Sequence, residues 1–288
     1  MKPALVIINP KSGTHSKQAI PALVGSVLGN AACVVYTKAP GHATELAAEA
    51  ARSGKYSVVV AVGGDGTVNE VASAMTGTGV PMGIVPAGSG NGLARHLHIP
   101  INIGKALELV RAGRTADCDT ATVCGRPFFC TMGLGFDASV SQAFAEAPRR
   151  GLLTYARIAL KQFLRYTPQR YTVEVDGRTE EYSAFLIAVC NASQYGNNAY
   201  IAPHARLTDG LLDVTIITEG PHYALVGAGL RLFTKGIEHS PLIRSLRGSE
   251  IVIRRESGGA GHIDGEAVTL PAEVRAVCRP GSLRLIVP

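Results

Sequence analysis

The chain has 288 residues, 46% hydrophobic and 17% charged, with a formal net charge of +6. That balance is too apolar for a disordered chain, and at roughly 100–200 residues per domain the length favours two domains over one or three. The positive charge favours an anionic partner without choosing between nucleotide, membrane surface and nucleic acid, and the nearest charge cluster, Arg149-Arg150, reads as a solvated loop.

Met1-Lys2-Pro3 and the short apolar run at 4–8 lack the long apolar stretch and cleavage site of a signal peptide, so they predict a strand. Asn9-Pro10-Lys11-Ser12-Gly13 closes that strand as a turn. A helix is expected over 17–28, a strand over 33–36 and an alanine-rich helix over 44–53. The β-branched run at 57–62 reads as a buried parallel strand. Another helix over 68–75 and a strand over 81–85 complete a βαβα rhythm, which implies a parallel sheet covered by helices. After about residue 120 the pattern changes to short alternating segments at 128–131, 170–175, 184–189, 212–217, 250–254, 274–278 and 282–287. Turn signals at Asp176-Gly177 and Asp209-Gly210 separate some of them. Helices are expected at 152–163 and 223–233. The expected fold is therefore an α/β amino-terminal domain, residues 1–120, and a β-rich carboxyl-terminal sandwich or barrel, residues 121–281.

The strongest local signal is Gly63-Gly64-Asp65-Gly66-Thr67, which follows a buried strand and opens a helix. A strand end, a tight turn and a helix N-terminus direct several backbone N–H groups at one point, where the helix dipole favours an anion. The glycines let backbone approach a phosphate, and Thr67 is expected to cap the helix and donate to a phosphate oxygen. Asp65 would repel a bare phosphate, so it fits a nucleotide bridged by Mg2+. A second glycine-rich strand-to-helix turn, Ala87-Gly88-Ser89-Gly90-Asn91-Gly92, has the same design. Both would lie at the carboxyl edge of the sheet, where α/β proteins bind ligands.

These motifs, with Gly133-Leu134-Gly135-Phe136-Asp137 and Asp264-Gly265-Glu266, resemble the diacylglycerol kinase catalytic-domain family in composition and order. The resemblance implies an ATP- and Mg2+-dependent kinase that phosphorylates a lipid hydroxyl, of diacylglycerol or of a sphingoid or ceramide-type lipid, in a cleft between the two domains. It implies that Asn9 and residues 63–69, including Asn69, hold ATP phosphates, that Thr37, Gly88, Ser89 and Asn91 lie near the nucleotide, and that Glu266 is the general base. Asp264, read alone as part of a hairpin turn with Gly265, stands as a second candidate. Asp65 and Asp119 are the candidates for a Mg2+–water network. Arg206, Asp209 and Leu211 resemble a structural Mg2+ segment, although Thr208 stands where many bacterial members carry a second carboxylate. The strand at 282–287 can cross back to the first domain in such proteins. Gly92 stands where many bacterial diacylglycerol-type members have Asp, which leaves the lipid class open.

None of the six cysteines forms a Cys-x-x-Cys pair, so no zinc or thioredoxin-type motif is indicated and a reducing compartment is expected. No run of 18 apolar residues occurs. The expectation is a cytoplasmic protein that visits the membrane surface peripherally to meet its lipid, with a homodimer left open. Aromatic residues are only 6% and no basic stripe is present, so nucleic acid is not an expected partner. His96 and His98 do not share a helix face and are expected to be solvated or helix-end histidines. The polar loop at 191–198 is a candidate headgroup lining or an ordinary loop. Two other readings are an enzyme like NAD kinase and a non-catalytic nucleotide- or lipid-binding regulator.

Overall fold

The structure is a computed structural model that describes residues 2–13, 18–29, 31–147 and 152–288. Lys17, the first residue of an expected helix, and the Arg149-Arg150 pair lie outside the described residues. The chain divides into two compact units, Met1–Thr120 with Pro280–Pro288, and Ala121–Arg279.

The first unit contains β1 (Ala4–Ile8), α1 (Ile20–Leu28), β2 (Cys33–Tyr36), α2 (His42–Ser53), β3 (Val58–Gly63), α3 (Asp65–Met75), β4 (Met82–Pro86), α4 (Gly92–His96) and α5 (Ile103–Ala112). The four strands pair in parallel in the order β2-β1-β3-β4. β3 and β4 are buried almost throughout, which is why both read as continuous apolar runs. Ile8 sits opposite both Tyr36 and Val62, and Gly63 opposite Pro86, so the four strands end level with one another. Beyond β4 the sheet continues with the far end of the chain, where Leu285 pairs in parallel with Met82.

Helix ends in this unit are fixed by side chains distant in sequence as well as by local ones. Glu70 of α3 caps α2: its Oε2 accepts from Ala43 N at 3.0 Å, and its carbonyl accepts from Thr44 Oγ1 at 3.1 Å. α5 was not foreseen from the sequence. It has a local Asn102 cap that accepts from Lys105 N, and a left-handed Gly113 at its end.

β5 (Thr115–Val123) starts in the first unit and ends in the second. The second unit adds β6 (Arg126–Phe128), β7 (Thr131–Gly135), α6 (Phe136–Ala145), α7 (Leu152–Phe163), β8 (Gln169–Val175), β9 (Arg178–Cys190), β10 (Leu212–Thr218), α8 (His222–Arg231), β11 (Ile243–Gly248), β12 (Glu250–Arg254), β13 (Gly259–Ile263), β14 (Glu266–Leu270) and most of β15 (Glu273–Ile286). Pairing here is antiparallel. The long strand β9 serves two neighbourhoods: residues 178–184 pair with β8, and residues 186–190 pair with β7 on one side and β10 on the other. Inward residues from these strands, among them Met132, Tyr171, Ile187, Val214 and Ile253, form one apolar core. This is a β-rich sandwich.

Several boundaries differ from the sequence expectation. The helix expected over 68–75 begins three residues earlier, at Asp65, and its N-cap is Gly64. Thr67 is therefore inside the first turn and does not cap. The strand expected over 128–131 is a junction between β6 and β7, because the N–H groups of Phe129, Cys130 and Thr131 all donate to the Asp264 carboxylate. Asp176-Gly177 closes a β8–β9 hairpin, with φ of 46° and 85° as a type I′ turn requires. Asp209-Gly210 closes no hairpin; it is the turn that enters β10. The segments expected at 274–278 and 282–287 are one strand, β15, running through Pro280-Gly281.

Candidate active site

The loops that follow β1, β3 and β4 meet at the carboxyl edge of the parallel sheet. Gly13 has φ +64°, and a Cβ there would stand 2.1 Å from the Ala87 carbonyl oxygen. A Cβ on Gly88 would stand 2.4 Å from Gly64 Cα, so these two loops touch backbone to backbone. Ala87 N donates to Gly63 O at 2.7 Å across the same junction. Glycine at 13, 64 and 88 is what lets three backbones converge on one spot.

Around that spot the first-turn N–H groups of α3 have no carbonyl four residues behind them, the condition that makes a helix N-terminus receive an anion. Asn9 Nδ2 donates to Thr67 Oγ1 at 3.0 Å, which fixes the hydroxyl that the sequence reading assigned to phosphate. Thr37 follows β2 and donates its N–H to Ile8 O, so it stands at the same edge. Ser89 is exposed in the third loop. Asn69 is one turn further along α3, within reach of Ser73 Oγ at 3.4 Å.

Two residues have additional structural roles. Asp65 turns towards the third loop, where Oδ2 accepts from Asn91 N at 2.8 Å and Oδ1 from Gly92 N at 2.6 Å. Its charge thus organises the third loop, and each oxygen retains one lone pair. Asn91 is buried and left-handed, at φ 53°, and its amide folds onto Gly88 N and Gly88 O. It shapes the loop. Cations at this edge were not singled out from the sequence. Lys11 is exposed in the first loop, and Arg95 braces the third through Nε to Gly90 O at 3.1 Å. Each stands within five residues of a glycine loop, and that proximity was the available signal.

Asp119 is buried in β5, and its Oδ1 accepts from Gly281 N at 2.8 Å. His96 is the last residue of α4, the helix-end alternative, and is half-buried there; burial, with the neighbouring His98, lowers its pKa to about 4, so it is neutral at pH 7. His98 is exposed.

In the second unit, Asp264-Gly265 forms the type I′ turn of the β13–β14 hairpin, with φ of 48° and 84°. Asp264 is not free to act as a base, since it accepts three backbone N–H bonds at 2.8–2.9 Å. Glu266, the first residue of β14, is exposed, and its carboxylate makes no hydrogen bond or ion pair among the described residues. A polar cluster that sequence reasoning missed lies alongside. His262 Nε2 and Tyr195 Oη each stand 3.0 Å from Asp137 Oδ2. Gly133 makes room for that pair, since a Cβ there would come within 2.3 Å of both partners. The loop at 191–198 is mostly turned inward: Asn191 and Gln194 are fully buried.

The candidate Mg2+ segment at Arg206, Asp209 and Leu211 carries an ion pair of its own. The Asp209 carboxylate is held by Arg247 and by Leu211 N, and Arg247 Nε also lies 3.4 Å from Asp213. Burial raises the Asp213 pKa, with Arg247 acting against it. A guanidinium therefore already offsets the charge of Asp209, the one carboxylate of that segment. Among the described residues no group of three or more His, Cys, Asp or Glu is arranged to hold a metal.

Residues 3–123 match the family model for the diacylglycerol kinase catalytic domain, and residues 130–287 match the YegS C-terminal NAD kinase beta sandwich-like domain. The chain belongs to the diacylglycerol kinase catalytic-domain family. A probable lipid kinase YegS from Escherichia fergusonii is 31% identical over 224 residues, 75% of this chain and 74% of that protein. An uncharacterized protein, sll0036, from Synechocystis is 31% identical over 240 residues, 81% of this chain; the chain spans 55% of its length. The crystal structure of a putative diacylglycerol kinase from Bacillus anthracis has the same fold, with a TM-score of 0.81 at 22% identity, covering 100% of this chain and 97% of that one. No helix among the described residues is long and apolar enough to cross a membrane.

Proposed function

We propose that the protein transfers the γ-phosphoryl group of ATP to the hydroxyl of a lipid alcohol, of the diacylglycerol or the sphingoid or ceramide type. The supporting observation is the convergence of three glycine loops on the open N-terminus of α3, where no Cβ fits at Gly13 or Gly88. Phosphoryl transfer asks a protein mainly to align reactants and to neutralise charge, and this edge offers both. In this reading the N–H groups of residues 65–67 and the Thr67 hydroxyl bind ATP phosphates, and Lys11 offsets their charge. Asp65, whose oxygens each keep a free lone pair, and Asp119 would hold the water network of a Mg2+ bound with the nucleotide, which would screen the phosphates. Glu266 accepts the proton of the lipid hydroxyl; its exposure and lack of a partner suit a base that meets its substrate from solution.

The test is labelled ATP with a mixed lipid extract, with products identified by mass spectrometry. The expected product is a phosphorylated lipid alcohol. Glu266→Gln should lower kcat by roughly 10²–10⁴ while leaving ATP affinity within about twofold. Full activity in that variant would remove Glu266 from the mechanism. Robust turnover of NAD, or ATP binding without transfer to any lipid, would overturn the lipid-kinase reading.

A further inference from the structure

A helix packed on a protein in water normally turns its large apolar residues inward. α8 does the reverse with most of its apolar bulk. Leu225 and Ala228 are its buried residues, while Tyr223, Val226 and Leu230, spaced i, i+3 and i+7 on one stripe, are 81%, 50% and 67% exposed. Phe233, just beyond the helix, is 62% exposed. Leu160 of α7 and Leu164, the residue just beyond it, repeat the feature at a spacing of i and i+4. Six of the eight large hydrophobic residues exposed among the described residues therefore belong to these two neighbouring segments. The segments meet where the Phe163 ring of α7 stands edge-on to His222 at 5.2 Å, so Leu164 and Tyr223 flank one junction. Stacked Phe136 and Phe185, with Phe163 and Tyr166 edge-on to them, form a rigid aromatic floor for that junction. An apolar surface of this extent on a stable scaffold marks an interaction site.

The charges around it name the partner. From residue 152 to 173 and from 220 to 237 the chain has no Asp or Glu. Arg157, Lys161, Arg165 and Arg231 are exposed there and form no ion pair among the described residues. Other exposed arginines of the same unit, Arg254 and Arg275, pair with glutamates. A second copy of the chain set against this face would oppose like charges with no acid to relieve them. An anionic lipid surface has the complementary sign. It also accepts apolar side chains below the headgroups while long basic side chains remain among the phosphates.

We propose that α8 and the carboxyl-terminal half of α7 form the face that lies on an anionic bilayer, and through which the enzyme reaches a membrane-resident acceptor. The second clause rests on the lipid-kinase reading; the first does not. Tyr223, Val226, Leu230 and Phe233 enter the headgroup region, and the four cations hold the anionic headgroups.

The test is sedimentation of the full chain with vesicles of phosphatidylcholine, and of an equal mixture of phosphatidylcholine and phosphatidylglycerol. Wild type should bind the mixed vesicles and be released by high salt. The variant Tyr223→Ser/Val226→Ser/Leu230→Ser should partition at least ~10-fold more weakly, since each buried apolar group contributes a several-fold factor. Lys161→Gln/Arg231→Gln should lose about fivefold per charge on the mixed vesicles and nothing on pure phosphatidylcholine. Circular dichroism matching wild type shows that the variants are folded. ATP turnover on a short-chain acceptor dissolved as monomer should be unchanged in the apolar variant, while turnover on the same lipid in mixed vesicles falls with binding. Wild-type sedimentation by both variants would overturn the docking face. So would a wild-type dimer that the apolar variant converts to monomer, because the face would then join two copies. Absence of turnover on either presentation, with vesicle binding lost as expected, would refute the lipid-kinase reading and leave the docking face standing.

Discussion

At the scale of single residues, the candidate site is governed by where a side chain has no room. Gly88 is the sharpest instance. Its nearest neighbour is the backbone of Gly64, and backbone cannot turn aside as a flexible side chain can. Gly88→Ala would place a Cβ at 2.4 Å from Gly64 Cα, so the loops after β3 and β4 must separate. Separation also strains the bonds from Asp65 to Asn91 N and Gly92 N, which tie the same loops together. The expected cost is about 1–3 kcal/mol of stability, the usual range for overpacking. ATP affinity should fall by more than that global loss explains, because the anion cradle itself opens. Calorimetric titration of ATP beside a urea melt checks both. Wild-type ATP affinity in Gly88→Ala would mean that nucleotide binding does not depend on the close approach of these loops.

At the scale of elements, the sequence made some features legible and hid others for identifiable reasons. β1, β3 and β4 were readable because burial on both faces demands uninterrupted apolar runs, and turn residues bracket each run; β2, an exposed edge strand, was readable from its β-branched pair Val34-Val35. β13, with the sequence Gly-Ala-Gly-His-Ile, was unreadable, since it is defined by pairing with β14 and β7 and has one large apolar side chain. α6 was hidden because Gly135 lets a fully buried strand pass directly into a helix without a polar turn. The glycine loops of the candidate site were visible because glycine and a following helix leave a sequence pattern. The pairing of Asp209 with Arg247 was not, since Arg247 is 38 residues from Asp209. The same guanidinium ties β10 to β11, which carry Asp213 and Arg247 opposite each other. Removing divalent ions with EDTA should leave Tm unchanged, because no Mg2+ is needed between these carboxylates. Arg247→Met should cost about 1–3 kcal/mol, because Asp213 stays largely buried without its counter-charge. Scanning fluorimetry reads both, and a fall of several degrees in wild-type Tm on chelation would restore the cation to this site.

At the scale of the whole molecule, the unit that carries the glycine loops is not continuous in sequence. It is completed by Pro280–Pro288, which follow the entire second unit in the chain. The tie is extensive for so short a piece. Leu283, Leu285 and Ile286 are buried, Leu285 extends the sheet beside β4, Gly77 N donates to Ser282 O at 2.7 Å, and Val287 N donates to Arg114 O at 3.0 Å. Thr120 and Ser282 hydroxyls meet at 2.8 Å, and Gly281 N reaches Asp119. Three buried aliphatic side chains at about 1.5–3 kcal/mol each amount to roughly 5–9 kcal/mol. That is comparable with the entire stability of an ordinary domain, about 5–15 kcal/mol. Ending the chain after Arg279 should therefore unfold the first unit, although every glycine loop is still present in the sequence. ATP binding should be lost, and limited proteolysis should degrade residues 1–120 before 121–279. The double variant Leu283→Ala/Leu285→Ala should show a weaker form of the same ordering, with ATP binding reduced as the first unit melts early. If the shortened chain bound ATP like the full one, the first unit would be self-sufficient, and the returning strand would have to be explained by something other than its stability.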